Sequence, residues 1–323
     1  MGYNAIPVEP RKVRSIVARG SAGRFSPARL ACLLVNLHLL DATYELFRAY
    51  FGYPRRAAPD GMEVGAVYGV LDSTIRLLRE DGVTHLAAAT DAVIESFRND
   101  IFPGYKTGEG IEPELLAQFR LAEEALEILG VTVWAMRDFE ADDAIATAAH
   151  RWMDDVERVI ILSPDKDLMQ CVIGDRVVTF NRRERKRYDE RGVVEKFGIP
   201  PRSIPDYLAL VGDAADRVPG IPGWGAKSSS TLLARYSHIE DIPGSPAEWD
   251  VKVRGAARLS TNLEAARAEA GLYRTLTTLR RDVPLAEDLE DLEWRGARRS
   301  RFLELCDRLG FGAIRTRPGR WQS

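Results

Sequence analysis

The sequence predicts an α/β fold: a mostly parallel sheet with helices on both faces, followed by a C-terminal helical region. Two patterns predict it. From Leu30 to Val178, apolar runs of strand length alternate with stretches of helical spacing, the signature of a parallel sheet with crossover helices. Acidic residues fall just past several of those runs, and in an open parallel sheet that is the carboxyl edge where ligands collect. With 323 residues, 45% of them hydrophobic, the chain can bury a substantial core.

The elements follow in order. Residues 1–28 carry Pro7, Pro10 and Pro27, several basic residues and little periodicity, and read as a flexible leader. The run from Ala31 to Leu40 reads as a buried strand, delivering Asp41 to the helical stretch Ala42 to Tyr50. A second helix is predicted from Met62 to Arg79, then a short strand, THLAAAT, ending beside Asp91. Helical spacing resumes from Pro113 to Leu129, the strand VTVWAM follows, and a helix begins at Glu140. RVIILS brings Asp165 to the same edge. Past Val178 the chain turns helical and loop-rich, with Pro200, Pro201 and Pro205 at a junction. These patterns divide the chain into 1–28, an α/β core over 29–185 and a helical region over 186–323.

Composition excludes several classes. Cys32, Cys171 and Cys306 lack paired spacing, which fits a reducing cytoplasm and provides no thiolate metal motif. His38, His85, His150 and His238 are too dispersed for a zinc site. No apolar run reaches the length of about 18 residues that a membrane span needs. The formal net charge is −3, so any nucleic-acid surface must be local rather than global.

Asp41, Asp91, Glu140, Asp142, Asp143, Asp165, Asp167, Asp213 and Asp216 are the candidate site residues. Carboxylates gathered at one sheet edge repel one another unless cations hold them, which points to divalent ions and phosphodiester chemistry. Oxygen ligands suit Mg²⁺ or Mn²⁺. Taken singly the motifs are ambiguous. Glu140 and Asp143 share a helix face at i, i+3, a pattern that equally serves helix capping and dipole compensation. Asp165-Lys166-Asp167 equally suits a solvated turn.

Five separated motifs, in order, carry a resemblance: DATYELFRAYF from Asp41, SFRNDIFPGYK from Ser96, FEADDAIATAA from Phe139, SPDKDLMQ from Ser163 and VGDAADRVPGIPGWGAKSSSTLL from Val211. Together they resemble the 5′ nuclease domain of bacterial DNA polymerase I and its stand-alone relatives in the flap endonuclease superfamily. The resemblance implies a PIN-like nuclease core, two divalent ions, and 5′-3′ exonuclease and flap endonuclease activity on DNA in replication and repair. It assigns all nine acids to the metals: Asp41, Asp91, Glu140 and Asp142 around one ion with Asp143 supporting, and Asp165, Asp167, Asp213 and Asp216 around the other. It assigns Arg98 and Lys106 to catalysis and phosphate contact at an arch near residues 98–120 that selects 5′ ends, and Arg48 to the DNA beside the site. Ala42 replaces the family's usual Gly, Pro164 stands where Gly or Ala is common, and the arch region after Lys106 is short and carries Glu109, Glu112 and Glu114.

Gly223 and Gly225 in PGIPGWGAKSSS allow a tight turn that aims backbone N–H groups at phosphate, with Lys227 adding charge. By resemblance this is a helix-hairpin-helix that grips duplex DNA with K⁺. Trp224 is read as a packing residue. The cluster Arg182, Arg183, Arg185, Lys186 and Arg187 reads as either a DNA contact or a solvated face. The expected partner is DNA with a 5′ flap, nick or free 5′ end. Competing expectations are a ribonuclease on RNA–DNA hybrids and a nucleic-acid-binding scaffold with weakened catalysis.

Overall fold

The computed structural model describes residues 35–80 and 82–322. The predicted leader, the start of the first strand and Cys32 lie outside the described residues.

The central strand is β1 (Asn36–Asp41), whose interior is buried on both faces. It pairs in parallel with β2 (His85–Asp91) on one side and β4 (Arg158–Leu162) on the other. The remaining strands, β3 (Thr132–Met136), β5 (Val177–Asn181) and β6 (Lys186–Tyr188), complete the order β3-β2-β1-β4-β5-β6, in which only β6 is antiparallel. The order reverses direction at β1, so the crevice outside the carboxyl ends of β1, β2 and β4 is the expected ligand position.

Side chains alternate across the sheet and build two cores. Leu40, Leu86, Ala88, Ile160 and Leu162 face one layer with α1 (Ala42–Gly52), α2 (Gly65–Glu80) and, beyond the short α3 (Phe97–Ile101), α4 (Pro113–Ile128). Leu37, Leu39, Ala87, Ala89 and Ile161 face the other layer, formed by α5 (Ala141–Trp152) and the strap 279–292. The three-layer architecture predicted from alternation is present.

The structure moves several boundaries. α2 begins at Gly65, not Met62, because Glu63 Oε1 accepts the Arg56 and Gly65 amides and holds a turn there. The expected arch narrows to 102–112, since Leu115 and Phe119 of α4 are buried in the core. β5 and β6 form a hairpin with a register from Thr179↔Tyr188 to Asn181↔Lys186, so the sheet continues through residue 185, where the sequence suggested a boundary.

The helical region has its own core, built from α6 (Glu190–Phe197), α7 (Ile204–Val211), α8 (Ala226–Tyr236), α9 (Ala256–Ala265) and α10 (Arg267–Thr277). Trp224 packs inside it and donates its indole N–H to the Leu259 carbonyl at 3.1 Å. Gln170 fastens this region to the sheet: its amide donates to the Asp167 and Thr277 carbonyls and accepts from the Leu279 amide, each at 2.9 Å. α11 (Arg299–Leu309) returns to the first core layer.

Asp206, on α7, is 1% exposed and accepts from the Ile239 amide and His238 Nδ1 at 3.0 Å each. Arg274 Nη1 lies 3.6 Å away. We expect Asp206→Ala to lower stability by about 3 kcal/mol, because it strands a buried donor and removes the charge these groups face. A urea midpoint within error of the parent would show that this anchor does not hold α7.

Candidate metal centre

Asp41 ends β1 and caps α1. Its Oδ1 accepts from the Tyr44 amide and its Oδ2 from Ser163 Oγ, both at 2.8 Å. Asp91 ends β2, where its Oδ1 accepts from the Ala141 amide at 2.7 Å while its own amide donates to Thr43 Oγ1 at 2.8 Å. Glu140 caps α5, and Asp142 lies in the first turn. Asp165 sits in the turn after β4 and accepts from the Asp167 amide at 2.9 Å. Parallel strands thus place the acids of separate motifs around one crevice.

A second group comes from the helical region. The segment after α7 closes on itself through paired backbone bonds between Asp213 and Val218, both 2.8 Å. It brings Asp213 and Asp216 to Asp167, so that each of the three offers a carboxylate oxygen within 4.8 Å of the others. Val218 packs with Tyr105 and Leu276, which seats this loop against the segment between α3 and α4.

Burial, with crowding among neighbouring acids, raises the proton affinity of Asp41, Asp91, Asp142, Asp167 and Asp216. Burial, with further contributions from Asp165 and Asp91, pushes Asp41 up to about 7. Burial followed by Asp165 and Asp41 holds Asp142 well above the carboxylate range, and burial with Asp165, Asp216 and Asp213 does the same to Asp167. Burial also raises Asp91 and Asp216, against the opposing pull of Lys106. Glu140 differs: burial pushes it up, but Lys106 and Arg98 outweigh that and keep it below its ordinary value.

Two lysines supply positive charge. Lys106 Nζ lies 2.8 Å from Glu140 Oε2 and 3.3 Å from Asp216 Oδ1. Lys166 Nζ lies 2.6 Å from Asp213 Oδ2 and 3.9 Å from Asp167 Oδ1. Asp167 Oδ1 is buried and has no hydrogen-bond partner. An all-oxygen donor set, an orphaned buried carboxylate oxygen and a cluster with raised proton affinity fit a divalent cation. The residues present therefore fit the expected metal.

Two expected roles are corrected. Asp143 is fully buried, and each oxygen already accepts two bonds: Oδ1 from Arg98 Nη2 and the Arg280 amide, Oδ2 from Arg98 Nη1 and the Glu140 amide, at 2.7–3.1 Å. Its roughly four lone-pair positions are filled, so it orients the α5 terminus instead of supporting an ion directly. Arg98 is 1% exposed and directs its remaining donors to the Leu276 and Thr278 carbonyls, at 2.7 and 3.2 Å. It fastens α3, α5 and the end of α10 together and presents no guanidinium face to DNA.

Arg48 pairs with Glu45, which also faces Arg182 Nη1 at 3.4 Å. Arg182 turns inward to the Ser73 carbonyl at 2.9 Å, whereas Arg183, Arg185, Lys186 and Arg187 are exposed around the hairpin. In the 219–230 turn, Gly223 has φ +82° and needs glycine, but Gly225 is extended at φ −141° with nothing near an added Cβ. Neither backbone strain nor a close neighbour therefore requires glycine at 225. Lys227 and Arg258 are exposed on this side.

Ser96, Ser163, Tyr105 and Lys166 were not expected in the site. Ser96 Oγ donates to Glu140 Oε1 at 2.7 Å. Lys166 and Ser163 lay inside a motif already singled out, but only the fold shows that they face the acids.

An open α/β sheet with acids converging on its carboxyl edge, closed on one side by a helical region, can hold divalent cations, and comparison with known proteins identifies the family. The N-terminal resolvase-like domain of the 5′-3′ exonucleases matches residues 36–198, and their C-terminal SAM fold matches 199–300. The chain belongs to the 5′-3′ exonuclease family. DNA polymerase I of Mycobacterium tuberculosis is 36% identical over 288 residues, covering 87% of this chain and 31% of that one. The chain thus spans about a third of the length of such relatives. A 5′-3′ exonuclease of Aquifex aeolicus is 34% identical over 208 residues, 64% of this chain and 72% of its own. Among solved structures, the bacteriophage T5 flap endonuclease with DNA and metal ions superposes with a TM-score of 0.61 at 19% identity, covering 75% of this chain and 88% of that one. The catalytic core of Rad2 with DNA substrate gives 0.57 at 13% identity, covering 91% and 93%. Among the described residues no helix is long and apolar enough to cross a membrane.

Asp41 holds its proton more tightly folded than unfolded, so its stabilising contribution is complete below about pH 4 and is lost as pH rises through about 7. In chelator, the melting temperature of Asp41→Asn should therefore gain on the parent from about pH 5 to about pH 8. A difference constant across that range would show that Asp41 is not a source of repulsion. Arg98→Lys should cost about 3 kcal/mol or more, since an ammonium cannot replace the two-pronged bond to buried Asp143. An unchanged denaturation midpoint would restore Arg98 as a surface group.

Proposed function

We propose that this chain is a divalent-metal-dependent 5′-3′ exonuclease and structure-specific flap endonuclease that hydrolyses phosphodiester bonds in DNA. The observation that carries the reading is the convergence of sheet-edge acids with Asp167, Asp213 and Asp216, while Lys106 bridges Glu140 and Asp216 at the base of the arch. Mg²⁺ or Mn²⁺ suits these hard oxygen donors, and bound ions would activate water and stabilise charge on the phosphate and the leaving oxygen. Asp41, Asp91, Glu140 and Asp142 are the proposed holders of one ion, and Asp165, Asp167, Asp213 and Asp216 of the other.

The chain's own residues organise the rest. Burial pulls the Lys106 ammonium down, but Glu140 and Asp216 more than compensate and keep it protonated. It therefore offers a fixed positive charge to a phosphate at the mouth of the crevice. Ser163 and the Tyr44 amide orient Asp41, and Ser96 orients Glu140. The Gly223 to Lys227 turn, with K⁺, is the proposed grip on the duplex backbone, so recognition follows shape more than sequence. Substrates are DNA flaps, nicks or free 5′ ends. The presence of all nine acids weighs against a scaffold with weakened catalysis, which gains nothing from crowding carboxylates together.

The test compares flap DNA, an RNA–DNA hybrid and single strands with and without Mg²⁺. Cleavage of flap DNA should require the ion and stop in chelator. Asp142→Asn should lose turnover by on the order of 100-fold while keeping its fold, and Lys106→Ala should lose cleavage more than duplex binding. Robust cutting in excess chelator would falsify the mechanism, and preference for the hybrid would make the enzyme a ribonuclease.

A further inference from the structure

Lys166 belongs to none of the roles above, yet it faces two members of the Asp167, Asp213 and Asp216 group, Asp213 and Asp167. We propose that its ammonium is a built-in counter-ion for these carboxylates, which a divalent ion must displace. The inference rests on the metal-dependent reading and deepens it, by assigning a residue that sets how tightly one ion is held.

Three observations carry it. Lys166 Nζ is 2.6 Å from Asp213 Oδ2, close enough to occupy an oxygen that an ion would use, and 3.9 Å from Asp167 Oδ1. Asp213 and Asp167 are each 5% exposed, so water screens this charge poorly. Asp167 Oδ1 has no hydrogen-bond partner at all, so Lys166 balances the charge of the group without completing its bonding. Lys106 covers the opposite member, Asp216.

The means of departure is visible too. The Lys166 side chain is 37% exposed and hangs from the turn between β4 and the short helix Asp167–Cys171, so its stem can swing outward without disturbing a core. An entering dication and the ammonium repel each other when they draw on the same oxygen. Once displaced, the ammonium stands at the rim of the crevice, where it is free to meet a substrate phosphate. Ion binding and phosphate binding then favour one another.

The test measures Mn²⁺ binding to the full chain without DNA, by the loss of the free-ion paramagnetic resonance signal. Parent, Lys166→Met and Lys166→Arg are compared, each with and without Asp213→Asn, after circular dichroism confirms the fold. Lys166→Met should bind one Mn²⁺ roughly tenfold more tightly, as expected when a like charge is removed from the site. Lys166→Arg should stay near the parent, and Asp213→Asn should abolish the gain. Should Lys166→Met fail to fold, Lys166→Gln makes the same comparison. Unchanged or weaker Mn²⁺ affinity in the neutral variant overturns the counter-ion role alone. Absence of Mn²⁺ binding by every variant and the parent overturns the metal-dependent reading as well.

Discussion

Mutual repulsion among carboxylates that the fold forces together is the constraint on which the rest of this structure depends. A buried ionised acid is unfavourable unless paired, and several unpaired ones at one sheet edge are worse. The protein meets the constraint in three ways. Asp143 is paired with Arg98 through two bonds, and the same guanidinium also faces Glu140. Glu140, Asp213 and Asp216 share Lys106 and Lys166. Asp41, Asp91, Asp142 and Asp167 are left with raised proton affinity, as is Asp216 despite Lys106. The last group is where a cation has most to gain.

The helical region is not an accessory to this arrangement. Asp213 and Asp216 come from it, and the Leu276 and Thr278 carbonyls that hold Arg98 come from it too. Through Arg98 and Asp143, the position of α10 is tied to the orientation of Glu140. Gln170 adds a second tie. The spacing of the clustered carboxylates is therefore set jointly by two separately cored regions, which links the placement of the helical region to the geometry of the sheet edge.

A related economy appears at the α5 N-terminus. The Glu140 amide donates to Asp143 Oδ2 at 3.1 Å, so Asp143 does serve the helix-capping role this motif allowed. Yet Glu140 also faces Lys106, and Asp142 beside it faces Asp165 and Asp41. One turn of helix caps itself and supplies the site, which is why its three acids cannot be assigned a common role.

The sequence alone determined the strand and helix alternation, the parallel sheet and the carboxyl edge as the site, because side-chain period and strand-end position are local properties of the chain. It also placed Trp224 in the core. The tertiary structure decided which charges are spent. Asp143 and Arg98 resemble their neighbours in the sequence, but their partners Leu276, Thr278 and Arg280 lie far along the chain, and only folding saturates them. Likewise Gly225 needs no special backbone, the sheet runs past residue 185, and Lys166 faces acids supplied by a different region. A pattern along one strand or helix reports which face a residue occupies. What fills that residue's hydrogen bonds and balances its charge is set by segments distant in the sequence, as Arg98 is from Asp143 and Leu276 from Arg98.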